Sequence, residues 1–140
     1  MLRTVLPLAA IVAVAVGGCT TQTTSNDSSG KFLGEQRLVA NTVEDFESAA
    51  AKGDQDQICR ELLAKPLIAQ YARHGGTCEN AVDGALKDSD SFGLTVESVR
   101  IAAAQATARV KADRGKKDVF RNITLVKEGT GWRISEFGTG

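Results

Sequence analysis

The stretch Gln105-Ala-Thr-Ala-Arg-Val-Lys-Ala-Asp113 alternates apolar and polar side chains along its whole length. A period of two places successive side chains on opposite faces of an extended chain, which is the pattern of a strand with one buried face. The apolar members, at every second position from Ala106 to Ala112, are therefore predicted to face a core.

Three further segments on either side have the same extended character: Leu94–Ala102, Asp118–Lys127 and Trp132–Phe137. In the first of them the apolar positions change parity partway along, which predicts a bulge or a sharp bend near Glu97 and Ser98. Short turns separate the segments, and two of them contain glycine, so we expect a four-stranded antiparallel meander.

The chain before these strands has helical periodicity instead. Apolar side chains recur at three- and four-residue spacing from Gly34 to Ala51, which predicts a first helix that ends at Gly53. Asp54 is placed to cap a second helix, because its carboxylate can accept hydrogen bonds from the unpaired amides of a first turn. This helix is predicted to run through Cys59 and Leu62 to Leu63.

Pro66 predicts the start of a third helix, which ends at Gly75-Gly76, and Thr77 predicts the cap of a fourth that runs to about Lys87. Helices followed by an antiparallel meander define an α+β domain, with the N-terminal helices packed on one face of a curved sheet.

The amino-terminal end has the three-part plan of an export signal. Arg3 supplies a positive charge, Val5–Val16 is apolar apart from one proline, and Val16-Gly17-Gly18-Cys19 has the pattern of a bacterial lipobox. The apolar run is about a dozen residues, whereas a spanning helix needs roughly 20. The sequence therefore predicts cleavage before Cys19, lipid attachment (diacylglycerol or palmitate) at its sulfur, and residence at the extracytoplasmic face of a cell membrane.

Three units follow from this interpretation: a signal peptide at 1–18, a lipidated cysteine with a Ser/Thr-rich tether at 19–33, and a domain at 34–140. The stretch Thr20–Gly30 contains no apolar residue, which is typical of a flexible spacer. An uncleaved membrane anchor, or a plain secretory signal with an ordinary cysteine, are the alternatives.

The charges are balanced, with 17 basic and 17 acidic residues in the whole chain. Removing residues 1–18 deletes Arg3, which leaves 16 basic against 17 acidic residues, a net charge of about −1. Nucleic-acid binding is disfavoured, because it requires a basic excess clustered on one face.

Cys59 and Cys78 remain as a pair once Cys19 is assigned to lipid. An exported domain meets an oxidising compartment, so a disulfide between them is favoured. Two buried free thiols or a metal site are the alternatives, although two cysteines and one histidine are few soft ligands. No metal ion or other cofactor is predicted.

Several short motifs follow one another in a specific order along the chain: Val16-Gly-Gly-Cys19, Val43-Glu-Asp-Phe46, Ala49-Ala-Ala-Lys-Gly-Asp54, Ile58-Cys59, Leu62-Leu63, Cys78, Ala106-Thr-Ala-Arg-Val110 and Gly131-Trp-Arg-Ile134. In these motifs the chain resembles a family of actinobacterial lipoproteins with an NTF2-like domain, also called a SnoaL-like or cystatin-type cone. The resemblance covers residues 34–137, and it implies helices on a strongly bent sheet with a cavity between them.

No catalytic set is recognisable. Enzymes with this cone need a titratable side chain desolvated beside the substrate, and Tyr71, Asp45 and His74 are the candidates here. His74 precedes two glycines in a predicted loop, and a helix tyrosine is more often part of the core. A hydrolase or isomerase acting on a hydrophobic substrate is the alternative function, and the protein is predicted to be non-catalytic.

The leading hypothesis is a lipid-anchored domain that binds a small apolar ligand or an envelope protein. Small inward-facing residues on a sheet leave room that either a helix or a ligand fills. Tyr71, Ala106, Ala108 and Trp132 are accordingly the candidate lining of a cavity. A structural accessory of an envelope complex is a further alternative.

Overall fold

A computed structural model describes residues 29–89, 93–114 and 117–138. The predicted signal peptide, Cys19 and the tether as far as Ser28 lie outside the described residues. The helices are α1 (Gly34–Lys52), α2 (Gln55–Gln57), α3 (Lys65–Arg73) and α4 (Cys78–Lys87), with a 3-10 turn at Ser29–Lys31 and a π-helical segment at Ile58–Leu62. The strands are β1 (Leu94–Ala102), β2 (Gln105–Arg114), β3 (Lys117–Glu128) and β4 (Gly131–Phe137).

The four strands form one antiparallel sheet in the order β1-β2-β3-β4. This confirms the predicted meander and the α+β class, and the strand ends differ from the predicted ones by a residue at most. Among the described residues, no helix combines the length and the apolar character that crossing a bilayer requires.

Two irregularities of register accompany the bending of the sheet. Between Val96 and Ser98 the pairing of β1 with β2 shifts, which confirms the bulge predicted near Glu97. The second shift was not predicted: Thr124 pairs with Glu136 and the next residue of β3 pairs with Ile134, so one residue of β4 is extra. Bulges bend and twist a strand, and they curve this sheet around its helices.

The helix boundaries follow the predicted signals. Gly53 ends α1 in the left-handed conformation, with φ 68°, and its amide donates to carbonyls of the last turn. The Asp54 side chain accepts from the Gln57 amide at 3.0 Å, and the Thr77 hydroxyl accepts from the Asn80 amide at 3.2 Å. Both predicted caps are confirmed.

The predicted second helix is wrong in its form and in its end. Only α2 is α-helical, the chain continues as the π-helical segment, and Leu63 is already extended, with φ −91° and ψ 143°. The reason is a tertiary contact: Leu63 forms a parallel bridge with Ile134, and the Ala64 amide donates to the Ile134 carbonyl at 2.7 Å. Pairing with the edge of β4 therefore replaces the helical conformation with an extended one at this point.

The core lies between α1 and the concave face of the sheet. Val39, Ala40 and Val43 on α1 are fully buried, in one cluster with Val96 and Ala108 of the sheet. Burying a valine side chain contributes about 1.5–3 kcal/mol, so this seam is a principal source of the domain's stability.

A disulfide joins Cys59 to Cys78, whose Cα atoms lie 6.0 Å apart, as predicted. It ties the π-helical segment to the first residue of α4. Closing a loop of this length stabilises a fold by roughly 3 kcal/mol on the chain-entropy model. The position of α4 against the sheet is therefore held covalently at one end.

Candidate ligand-binding cavity

A cavity of about 260 Å³ lies between α3, α4 and the sheet, and it is partly open to solvent. Its wall is mainly apolar, as expected of a site for a small organic molecule. Helix α4 contributes Ala81, Val82, Ala85 and Leu86 to the wall, and the sheet contributes Leu94, Val110, Ala112 and Ile123.

The space exists because small side chains face each other across it. Ala112 on β2 and Ala81 and Ala85 on α4 extend only a methyl group toward the gap. Toward the other end of β2, Ala106 and Ala108 are buried in one cluster with residues of α1. The cavity therefore lies where α4, held by the disulfide, covers the bent sheet without filling it.

Two aromatic rings form another part of the wall. The ring centroids of Phe46 on α1 and Phe137 at the end of β4 are 5.1 Å apart, with the planes inclined by 45°. Phe137 keeps 40% of its surface exposed although it is a large apolar residue. These rings present apolar area that a bound molecule would cover.

Tyr71 is a polar group of the wall, and it projects from the last turns of α3. Among the described residues its hydroxyl has no hydrogen-bond partner. Partial burial raises the pKa of the Tyr71 phenol above its ordinary value, because desolvation disfavours the phenolate. The side chain therefore remains a neutral hydrogen-bond donor at physiological pH.

Arg121 is the charged residue of the wall. It pairs with Val110 across β2 and β3, and it has the same parity along β3 as the buried Ile123 and Leu125. Its side chain accordingly lies on the concave face of the sheet. Within the part of the chain that the structure describes, its guanidinium forms no hydrogen bond, ion pair or ring contact.

The predicted lining is only partly found at this cavity. Tyr71 lines it, whereas Ala106, Ala108 and Trp132 do not. The two alanines are 1% and 0% exposed because α1 packs closely over them, so the helix takes up the room that the small side chains leave.

Trp132 is held elsewhere by polar contacts. Its indole nitrogen donates to the Glu35 carboxylate at 2.7 Å, and the Lys127 ammonium lies 5.7 Å from its ring centroid. The Thr42 hydroxyl lies 3.5 Å from the Trp132 carbonyl oxygen. The tryptophan closes the core at the start of β4, which places the actual cavity toward the other end of the sheet.

The candidates for proton transfer are dispersed. Asp45 is exposed on α1 and His74 is exposed at the end of α3, and neither lines the cavity that contains Tyr71. Desolvation, followed by repulsion from Glu44 and Glu61, raises the pKa of Asp45 above its ordinary value. The structure does not assemble these three side chains into one site.

Arg121, Phe46 and Phe137 are among the cavity residues that the sequence did not predict. For Arg121 a signal existed, because this basic residue has the same parity along β3 as the apolar Ile123 and Leu125. The rings meet only through the tertiary fold.

The fold is similar to that of a solved protein described as de novo designed NTF2 fold protein NT-9. The TM-score is 0.51 at 11% sequence identity, over 72% of this chain and 84% of the designed one. No protein family model and no curated protein matches the sequence. The domain therefore has an NTF2-like fold, and a fold does not by itself define an activity.

Proposed function

We propose that this chain is a membrane-anchored binding protein whose NTF2-like domain holds a small apolar ligand in the cavity between α4 and the sheet. The observation that carries the proposal is the cavity itself: about 260 Å³ of space with a mainly apolar wall. A recess of this volume with a mainly apolar wall suits a single aliphatic chain or one small ring system.

The cavity favours a small molecule over a protein as the bound partner. Protein interfaces bury about 800 Å² on each side, commonly over a broad surface, whereas this site is a recess. Burial of apolar ligand surface would supply the affinity, at roughly 25 cal/mol for each Å² removed from water.

The lipobox at Cys19 supports the location at the outer face of a membrane. Acyl chains on Cys19 would contribute roughly 0.8 kcal/mol for each buried CH₂, so two or more chains hold a protein stably. Such an anchor would keep the cavity close to a source of apolar molecules. The proposed role is therefore to bind such a molecule at the membrane surface.

Photolabelling tests the binding. The full-length chain in phosphatidylcholine nanodiscs is irradiated with a decanol that carries a diazirine, and the labelled peptides are identified by mass spectrometry. We expect labels on the peptides that contain Leu86 and Val110. Labelling spread evenly over the surface would contradict the proposal.

Ala112→Phe is the informative variant, because a large ring on β2 would occupy the cavity. We expect it to lose most of the labelling. The matched control is Ala102→Phe, the same substitution at an exposed position away from the cavity, which should leave labelling unchanged.

A further inference from the structure

We propose that the ligand of this cavity is a single-chain amphiphile with a carboxylate headgroup, and that Arg121 binds the carboxylate. This inference rests on the proposed function, because it concerns the occupant of the same cavity. It adds the chemical class of the ligand and names the residue that selects it.

The argument begins with the position of Arg121. Its strand neighbours of the same parity, Val119 and Ile123, are partly or fully buried, and its cross-strand partner Val110 is 1% exposed. Arg121 is itself half-buried on this apolar face, so its charge is less well solvated than at the open surface, and a nearby counter-charge would stabilise it.

No such counter-charge is provided by the described residues. The ion pairs found among them are Arg60 with Asp56, Lys87 with Asp83 and Lys127 with Glu35, and none involves Arg121. A guanidinium offers a planar fork of donors that matches a carboxylate in bidentate geometry. The missing partner is therefore best supplied by an anion that enters with the ligand.

Tyr71 supports the same ligand class. Its hydroxyl lines the same cavity and has no partner among the described residues, and it stays protonated, so it is a second donor and not a base. Two donors in a mainly apolar wall match a headgroup that only accepts hydrogen bonds, as a carboxylate does.

The volume of the cavity limits the size of the apolar part of the ligand. About 260 Å³ is space for one aliphatic chain of moderate length. Together with Arg121, this points to a free single-chain carboxylate as the ligand.

Competition among three amphiphiles of equal chain length tests the proposal in the wild-type protein. The full-length chain in phosphatidylcholine nanodiscs is photolabelled with the diazirine decanol, while decanoate, decanol or decyltrimethylammonium is added as competitor. We expect decanoate to compete at least about tenfold better than decanol, since a charge-assisted hydrogen bond contributes that much or more. The cationic amphiphile should compete least.

Substituting Arg121 then tests whether this residue causes the preference for decanoate over decanol. In Arg121→Gln and Arg121→Met we expect decanoate to lose its advantage over decanol. Arg100→Gln is the matched control, since it removes the same charge from an exposed position opposite Thr107. Labelling by the neutral probe shows, for each variant, that the cavity is still formed.

These experiments distinguish a failure of the carboxylate proposal from a failure of the proposed function. If decanol labels the cavity peptides but decanoate competes no better than decanol, the carboxylate proposal is overturned and cavity binding stands. The same holds if both Arg121 variants keep the wild-type preference. If neither decanol nor decanoate reaches the cavity, the proposed function itself fails.

Discussion

The indole nitrogen of Trp132 lies 2.7 Å from a carboxylate oxygen of Glu35, and this hydrogen bond joins the first turn of α1 to the start of β4. The Lys127 ammonium donates to the other carboxylate oxygen at 3.0 Å. Both hydrogen bonds lower the pKa of Glu35 below its ordinary value, and the one from Trp132 has the larger effect.

A lowered pKa in the folded state makes this contact sensitive to acid. The ionised Glu35 stabilises the fold at any pH above the pKa of the unfolded chain, and this contribution is lost as the pH falls through the folded-state pKa. We expect Glu35→Gln to lower the thermal unfolding midpoint at neutral pH, with a difference from wild type that narrows in acid. Equal differences at both pH values would contradict this, and the exposed Glu97→Gln is the control.

Removing the disulfide should destabilise the domain. Replacing both Cys59 and Cys78 by alanine is expected to reduce the free energy of unfolding by about 3 kcal/mol, because the unfolded chain regains the entropy of an open loop. Urea unfolding with and without a reductant measures this. Reductant should lower the midpoint of the wild type and leave the double variant unchanged; an unaffected wild type would disprove the bond.

Gly138 approaches its neighbouring strand too closely for a side chain. A Cβ atom there would lie 2.5 Å from the Asn122 carbonyl oxygen, which also accepts the Gly138 amide at 2.8 Å. We expect Gly138→Ala to cost about 1–3 kcal/mol and to speed hydrogen exchange of the amide at that position. Gly131→Ala, where a Cβ meets open space, should be nearly neutral.

The proposed lipid anchor at Cys19 is tested separately from the folded domain. We expect radiolabelled palmitate to enter the wild-type protein and not Cys19→Ala, since the predicted site of lipid attachment is that sulfur. The variant should also leave the membrane fraction. Equal labelling of the two proteins would remove the lipoprotein interpretation without affecting the cavity.

Much of the architecture could be predicted because its causes are local. The alternation from Ala106 to Val110 specifies a strand, the change of parity after Val96 specifies a bulge, and the side chains of Asp54 and Thr77 cap the turns that follow them. The pairing of the two cysteines was predictable from their number together with the predicted export signal.

The location of the cavity could not be predicted, because it depends on which helix covers which alanine. Ala108 and Ala112 are equivalent in the sequence pattern, yet α1 fills the space above the first, while the second faces the gap below α4. The end of the second helix was mispredicted for a similar reason, since the bridge from Leu63 to Ile134 is not visible in local periodicity.

The contact of Leu63 and Ala64 with Ile134 also affects how copies of this protein meet. An uncovered edge strand offers unpaired amides and carbonyls to another chain and invites aggregation. On β4, the Ala64 amide already donates a hydrogen bond to the Ile134 carbonyl. On β1, the bulge interrupts the edge, and the Gln36 side-chain amide donates to the Val99 carbonyl at 3.0 Å. Both outer strands are thus poor templates for strand addition, which suits a domain that the proposed anchor at Cys19 would hold at high local density on a surface.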